Sequence, residues 1–536
     1  MGKDLFMKTG LLLCLLAVPA ISFGSSSSNL GAIDFPNSGS KEAQDAFLRG
    51  VAALHSFWFE EAGEAFKNAQ ETDPSFALAY WGEAMSYNHP LWAEQDIAAA
   101  RAVLLRLGAT RKERAAKAPT ERERLYMEAL EELYGEGDKL ARDIAYEKAM
   151  ARLHERFPED VEAAAFYALS LLGTVRPGEK GFSRQMKSGA IALDLFQKHP
   201  DHPGAAHYVI HSFDDPEHAP LALPAADRYA EVAPEAHHAL HMPSHIFLQH
   251  GMWDRVALSN QESYEASAKW VERKGLSIDK RDYHSLQWRA YANLQRGIYT
   301  DSLAAIEIVG EAAKEVQSPR LERIKTSMVA THMIETNRYE DLPLPPNEGA
   351  EPDTSRYSST ANLVLAIGMG AAQAKNQAKT EQAAAIVAGL KEKSEDPYTK
   401  KTYSIMEHEL RGLAAMVKGE TEVALAELDE ATTIEETLDP PSGPVFPLKP
   451  SHELYGEVLA LAGRHPEAIA EFQTGLKRTP NRTASLLGLA RSSVAVSDME
   501  TAARAYETLQ RFLSDANPDV AFLAEVRGFH ASTEDR

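Results

Sequence analysis

Residues 456–488, GEVLALAGRHPEAIAEFQTGLKRTPNRTASLLG, decide the fold once they are set beside residues 50–82, GVAALHSFWFEEAGEAFKNAQETDPSFALAYWG. Gly50, Ala62, Phe66, Pro74 and Gly82 align with Gly456, Ala468, Phe472, Pro480 and Gly488, at identical spacings of 12, 4, 8 and 8. Each landmark has a helical meaning. A glycine in one helix lets a partner helix approach closely. Alanine and an aromatic four residues apart share one face of the second helix, and proline stops it before the next pair begins. The spacing predicts the same helix–turn–helix unit near both ends of the chain.

These positions fit the tetratricopeptide repeat (TPR). Between them the pattern is degenerate but persists. Tyr146–Gly173 has the helix, proline, helix rhythm around Pro158, and Pro200 and Pro234 punctuate two further pairs. Ser285–Val309 fits another pair with Gly297 in the turn, and Ser358–Leu390 and Thr402–Leu438 fit two more. From Lys41 to about residue 530 apolar residues recur at three and four, without strand-like alternation. The fold class predicted is all-α: a TPR-like superhelix of roughly nine to eleven helical pairs with a concave face. Two sub-arrays are expected, 41–341 and 358–530, joined by a linker at 342–357 (LPLPPNEGAEPDTS within it). A second interruption, 439–450 (DPPSGPVFPLKP), is too rich in proline for helix. It is read either as a surface connector or as a segment folded back into the groove.

The N-terminus reads as a targeting segment. Lys3 and Lys8 precede the short apolar run GLLLCLLAVPAI, and Ser22 and Gly24 supply small residues before a cleavage point. This pattern predicts a signal peptide over residues 1–24 and an exported chain, periplasmic or secreted. A mobile Ser/Gly-rich lead-in is expected at 25–40. Cys14 is the only cysteine, and lipidation there is the rival reading. Cleavage at 24 would leave a mature chain that excludes thiolate catalysis and Cys-ligated zinc, and no later run is apolar enough to span a membrane. A net charge of −22 argues against a nucleic-acid partner. The basic excess at Arg101–Lys117 reads as a solvated helix face.

Histidine is the composition's outlier. Of 19 in the chain, ten fall between His199 and His250. His207 and His211 form one i, i+4 pair and His241 and His245 another, so each pair projects from one helix face. Pro243 interrupts the second pair and leaves its facing open. Two di-His pairs on neighbouring helices follow the ligand logic of bundle-core metal sites. The fixed Glu-x-x-His spacing of di-iron carboxylate sites is missing, which favours copper or zinc, singly or as a dicopper pair, over iron. His237, His55 and His89 are reserve ligands, with Asp214 or Glu83 orienting a ring. A buried polar network or a pH-responsive interface would use the same residues. Phe57, Trp58, Phe59, Tyr80, Trp81, Tyr87 and Trp92 cluster in the first two repeats and read as inter-helix packing or, alternatively, with Trp58, Trp81, Tyr87 and Trp92 foremost, as the wall of a ligand pocket. No phosphate loop, GxSxG elbow, HExxH or EF-hand loop occurs.

The segments HPGAAHYVIHSFDDPEHA (202–219) and HHALHMPSHIF (237–247) resemble those of a group of secreted bacterial TPR proteins. AYWGEAMS (79–86), HPLW (89–92), GPVFPLKPSHELYGEVL (443–459) and PNRTASLLGLAR (480–491) extend the resemblance over most of the chain. It implies the fold and an exported location and assigns no activity. The expectation is therefore an exported binding or scaffold protein with a His-lined metal site in its groove, taking a peptide, protein or small ligand. The alternatives are a metal-dependent enzyme (copper, zinc or iron) on the same cluster, and a purely structural protein.

Overall fold

The computed structural model describes residues 29–176, 181–345 and 358–530. The expected signal peptide, Cys14 and most of the expected linker lie outside them. The described chain is a succession of antiparallel helix pairs from Gln44–His55 to Leu523–Gly528. One two-residue ribbon pairs Asn88–His89 with Glu94–Gln95. No described helix is long and apolar enough to cross a membrane.

The aligned landmarks do the same physical job in both repeats. The buried Phe66 ring is clamped between Gly50 and Gly82; a Cβ on either would come within 2.8 and 2.2 Å of it. Phe472 sits between Gly456 and Gly488 at the same 2.8 and 2.2 Å. Three helices thus close on one aromatic ring, whose burial contributes roughly 1.5–3 kcal/mol. The turns inside the pairs need one left-handed residue. Gly251, Gly297, Gly419 and Gly463 supply it, and Phe57 stands in that place in the first repeat with φ 52°.

One segment departs from the sequence reading, and another takes the inward course, the second of its two expected ones. The lead-in is not loose where it is described: Phe35 is buried, 5.4 Å from Phe47, 5.7 Å from Trp81 and 5.1 Å from Tyr126. Serine and glycine set the composition of that stretch, but its buried apolar residues, Leu30 and Phe35, with Ile33 packed beside them, set its position. The Pro-rich segment runs inward. Its Gly443 lies against the Trp288 ring, and Val445 joins the N-terminal core. The later helices also return to the middle of the chain. Thr483 N–H donates to Gln295 Oε1 at 3.0 Å, Arg482 bonds Tyr291 and Glu335, and Gly297 touches Leu513, Ala516 and Val520. The second array therefore folds back on the first instead of trailing away from it.

Candidate metal centre

Helix Pro203–Ser212 begins with His202, whose Nδ1 caps the Ala205 N–H at 3.1 Å, and Pro203 at the first position needs no N–H partner. This start fixes the phase that puts His207 and His211 on one face, ring centroids 4.7 Å apart. The next histidines come from two short helices, His237–His241 and Pro243–Gln249. Pro243 ends one and opens the other.

His207, His211 and His238 converge. The ring nitrogens they offer lie within 4.8 Å of one another. His207 is fully buried, and its Nδ1–H donates to the His55 carbonyl at 2.6 Å, which leaves Nε2 as a bare lone pair. Nε2 of all three rings is buried without a hydrogen-bond partner among the described residues. Burial, and then the neighbouring imidazoles, holds the ring pKa of His211 and His238 well below the ordinary value. Burial lowers that of His207 to about 3. Three neutral imidazoles aimed at one point form a donor set for copper or zinc, with the His55 carbonyl fixing a ligand's tautomer from outside.

Phe57 covers this triad. Its ring centroid lies 4.3 Å from His207, 5.7 Å from His211 and 5.5 Å from His238. A bulky residue in the left-handed region is a true backbone outlier, and such strain of about 1–3 kcal/mol persists where the surroundings enforce it.

The second predicted pair is also brought together despite Pro243: His241 Nε2 and His245 Nε2 are 3.1 Å apart. His241 Nδ1 bonds Asn260 Oδ1 at 2.6 Å. His245 Nδ1 bonds Asp214 Oδ2 at 2.6 Å and the Ser442 carbonyl, from the Pro-rich segment, at 3.1 Å. Asp214 thus orients a ring, as one of its two predicted options. Glu83 does not; it accepts from Gln70 and pairs with Arg106.

The reserve ligands lie elsewhere. His55 has both nitrogens engaged, Nε2 with Glu162 at 2.7 Å and Nδ1 with the Tyr208 hydroxyl at 2.8 Å. His202 Nε2 bonds the other oxygen of Glu162 at 3.1 Å. Burial alone would raise Glu162, but the two rings hold it down at about 2. These three could also surround an ion by distance, but every ring nitrogen there is satisfied, so the group is a hydrogen-bond network beneath the triad. His237 turns toward Trp58 and Trp270, 6.2 and 6.3 Å away. His89 stacks on Phe59 at 4.1 Å. Among the aromatics, Trp92 is 51% exposed and stands 6.1 Å from His238 at the rim. Trp58 packs on Trp270, Trp81 is buried among Phe35, Tyr126 and Phe166, and Tyr87 is part of the core edge.

His238 is absent from the predicted ligands, while Phe57 belongs to the aromatic cluster read as a possible wall. His238 has no i, i+4 partner, since Pro234 and Met242 occupy those positions. For Phe57 the signal was present: in the repeat alignment it falls on Gly463, seven residues after Gly456 as Phe57 is seven after Gly50. His284, exposed and 4.8 Å from His241, comes from a separate helix and no local spacing points to it.

No protein-family model matches the chain, and no curated protein matches it significantly in sequence. Solved structures do. The P58(IPK) TPR domain is 12% identical, covers 85% of this chain and 99% of that chain, and gives a TM-score of 0.22. The human IFIT1 dimer with m7Gppp-AAAA is 12% identical over 89% and 96%, with a TM-score of 0.34. The APC/C hetero-tetramer Cut9–Hcn1 is 11% identical over 91% and 96%, with a TM-score of 0.25. These likenesses concern helical-repeat architecture, and at such scores they carry no argument about the site.

Proposed function

We propose that the protein is an exported TPR-type binding protein that carries a transition-metal ion, copper or zinc, on His207, His211 and His238. The observation that carries this reading is the convergence of one ring nitrogen from each of the three histidines within 4.8 Å, where the Nε2 of every ring is also buried without a hydrogen-bond partner. Leaving one such nitrogen buried and unpaired costs about 1–3 kcal/mol; a cation relieves all three together. The donor set holds no carboxylate and no thiolate, which fits copper and zinc better than magnesium or an iron carboxylate centre. Export rests on residues 1–24, the binding role on the helical-repeat scaffold, and a peptide, protein or small molecule is the ligand class proposed. A charge of −22 disfavours nucleic acid.

A second reading, a metal-dependent enzyme using copper, zinc or iron, draws on the same geometry. Three imidazoles leave a coordination position open, the arrangement of catalytic rather than structural zinc. In that case the metal would act as a Lewis acid or redox centre. Phe57 would keep water from one side, and Trp92 would stand at the entrance. Elemental analysis of the mature protein, purified without a His tag, tests both readings. About one or more ions per chain are expected, and His207→Ala/His211→Ala should lose an ion. No bound metal after loading with copper, zinc or iron overturns them, and an intact mass that retains residues 1–24 overturns export.

A further inference from the structure

The His241–His245 contact poses a problem that hydrogen bonding alone leaves open. Asn260 Nδ2 donates to the Val256 carbonyl at 2.8 Å, so its Oδ1 faces His241 and accepts from His241 Nδ1–H. The Ser442 carbonyl only accepts, so His245 Nδ1 likewise carries its proton. A neutral imidazole has one N–H. With both rings neutral, both Nε2 atoms present lone pairs, and they face each other at 3.1 Å; only a proton on His245, shared with Asp214 at 2.6 Å, or a metal ion removes that clash. Two lone pairs at hydrogen-bond distance repel unless a positive charge lies between or beside them.

We infer that the cleft holds two metal ions: one on His207, His211 and His238, and a second on His241 and His245 with His284 as its third imidazole. The inference rests on the metal reading of the first group and adds a separate site to it. The convergence within 4.8 Å that unites the first triad does not extend to His241 or His245 among the described residues. The two sets adjoin, with His238 6.0 Å from His241 and His211 6.2 Å from His245 between ring centroids. Six imidazoles also exceed what one four-coordinate ion takes up. The second pair has its own outer support, Asn260, Asp214 and Ser442, which is the hydrogen-bonded second layer that metal-ligating histidines carry. Trp288 roofs it, 4.4 Å from His245 and 4.9 Å from His241. His284 is the nearest further imidazole, its ring centroid 4.8 Å from His241 and 5.6 Å from Trp288; its nitrogen is not within 4.8 Å of both partners here, so binding an ion would draw the ring in. The ligand is a divalent first-row cation that accepts all-nitrogen coordination, copper or zinc.

The full mature chain, stripped of metal, is loaded with Zn(II) and in parallel with Cu(II), desalted, and analysed for bound ions. Two ions per chain are expected for the wild type, and one each for His245→Ala and for His207→Ala/His211→Ala. His284→Ala should weaken only the second equivalent, by tenfold or more, with urea unfolding of the apo-protein as the control for folding. One ion in the wild type that survives His245→Ala overturns the second site and leaves the proposed function standing. One ion lost in both variants means a single shared ion and also overturns it. One ion together with a nitrogen-bound proton between His241 and His245 in imidazole NMR overturns it as well. No ion of either metal removes both readings.

Discussion

The first and last aligned repeats are the same frame put to different uses. Both clamp one phenylalanine ring between two glycines at matching distances. They part at the turn. Gly463 takes φ 76° and a Cβ there would touch nothing within 4 Å; Phe57 takes φ 52° and lies on three histidines. Two residues before the turn, Leu461 is 79% exposed while His55 is fully buried. The frame positions backbone, and chemistry enters where a repeat disobeys its own pattern.

The strongest contrast is expected from pH. His207 is held neutral, its value lowered by burial to about 3 against an ordinary 6.5, and burial lowers His211 and His238 too. The unfolded chain binds more protons between those values, so this stabilisation is complete above pH 6.5 and is lost as pH falls toward 3. By pH 4.5 His207 alone costs roughly 3 kcal/mol. In the second array burial raises Glu409 and Glu435, whose protonation favours the folded state. Against burial, Arg482 and Lys449 hold Glu453 down at about 2, so the stability it contributes is lost only below the ordinary carboxylate range, under about pH 5. Metal-free protein taken from pH 7 to 5 should lose hydrogen-exchange protection over 203–249 and keep it over 451–491.

Next come the frame residues. Phe66→Ala and Phe472→Ala should each cost about 3–5 kcal/mol in urea unfolding. Near-equal losses would support a shared frame, and a large inequality would break it. Gly82→Ala and Gly488→Ala, each driving a Cβ into the clamped ring, should cost about 1–3 kcal/mol. Phe57→Asn suits the left-handed turn but uncovers the triad, so metal affinity is expected to drop about 10–100-fold, while Gly463→Asn leaves it unchanged. The smallest effect belongs to Trp92→Ala at the rim, with stability within about 0.5 kcal/mol of wild type and unchanged metal stoichiometry.

The helical-repeat fold was legible because its evidence is periodic: five residues at fixed spacing recur over 400 positions away. The site was legible only where its donors lie four residues apart in sequence, as with His207 and His211 on one helix and His241 and His245 across the break at Pro243. His238 was hidden for want of such a partner, and His284 and Ser442 by distance along the chain, since nothing local records which loop will return. The packing of Leu30 and Phe35 was hidden for another reason. Serine and glycine dominate a composition count, but a few apolar side chains suffice to dock a short strap.

The Ser442 carbonyl at His245 joins residues 197 positions apart. A chain stopped before residue 442 would own all six imidazoles and lack one of the groups that hold His245 in its tautomer. Synthesis must pass the Pro-rich segment before the second pair is complete. Metal competence there therefore reports that nearly the whole chain has been made and has closed on itself, and a cut in 439–450 would register at the histidines without touching them.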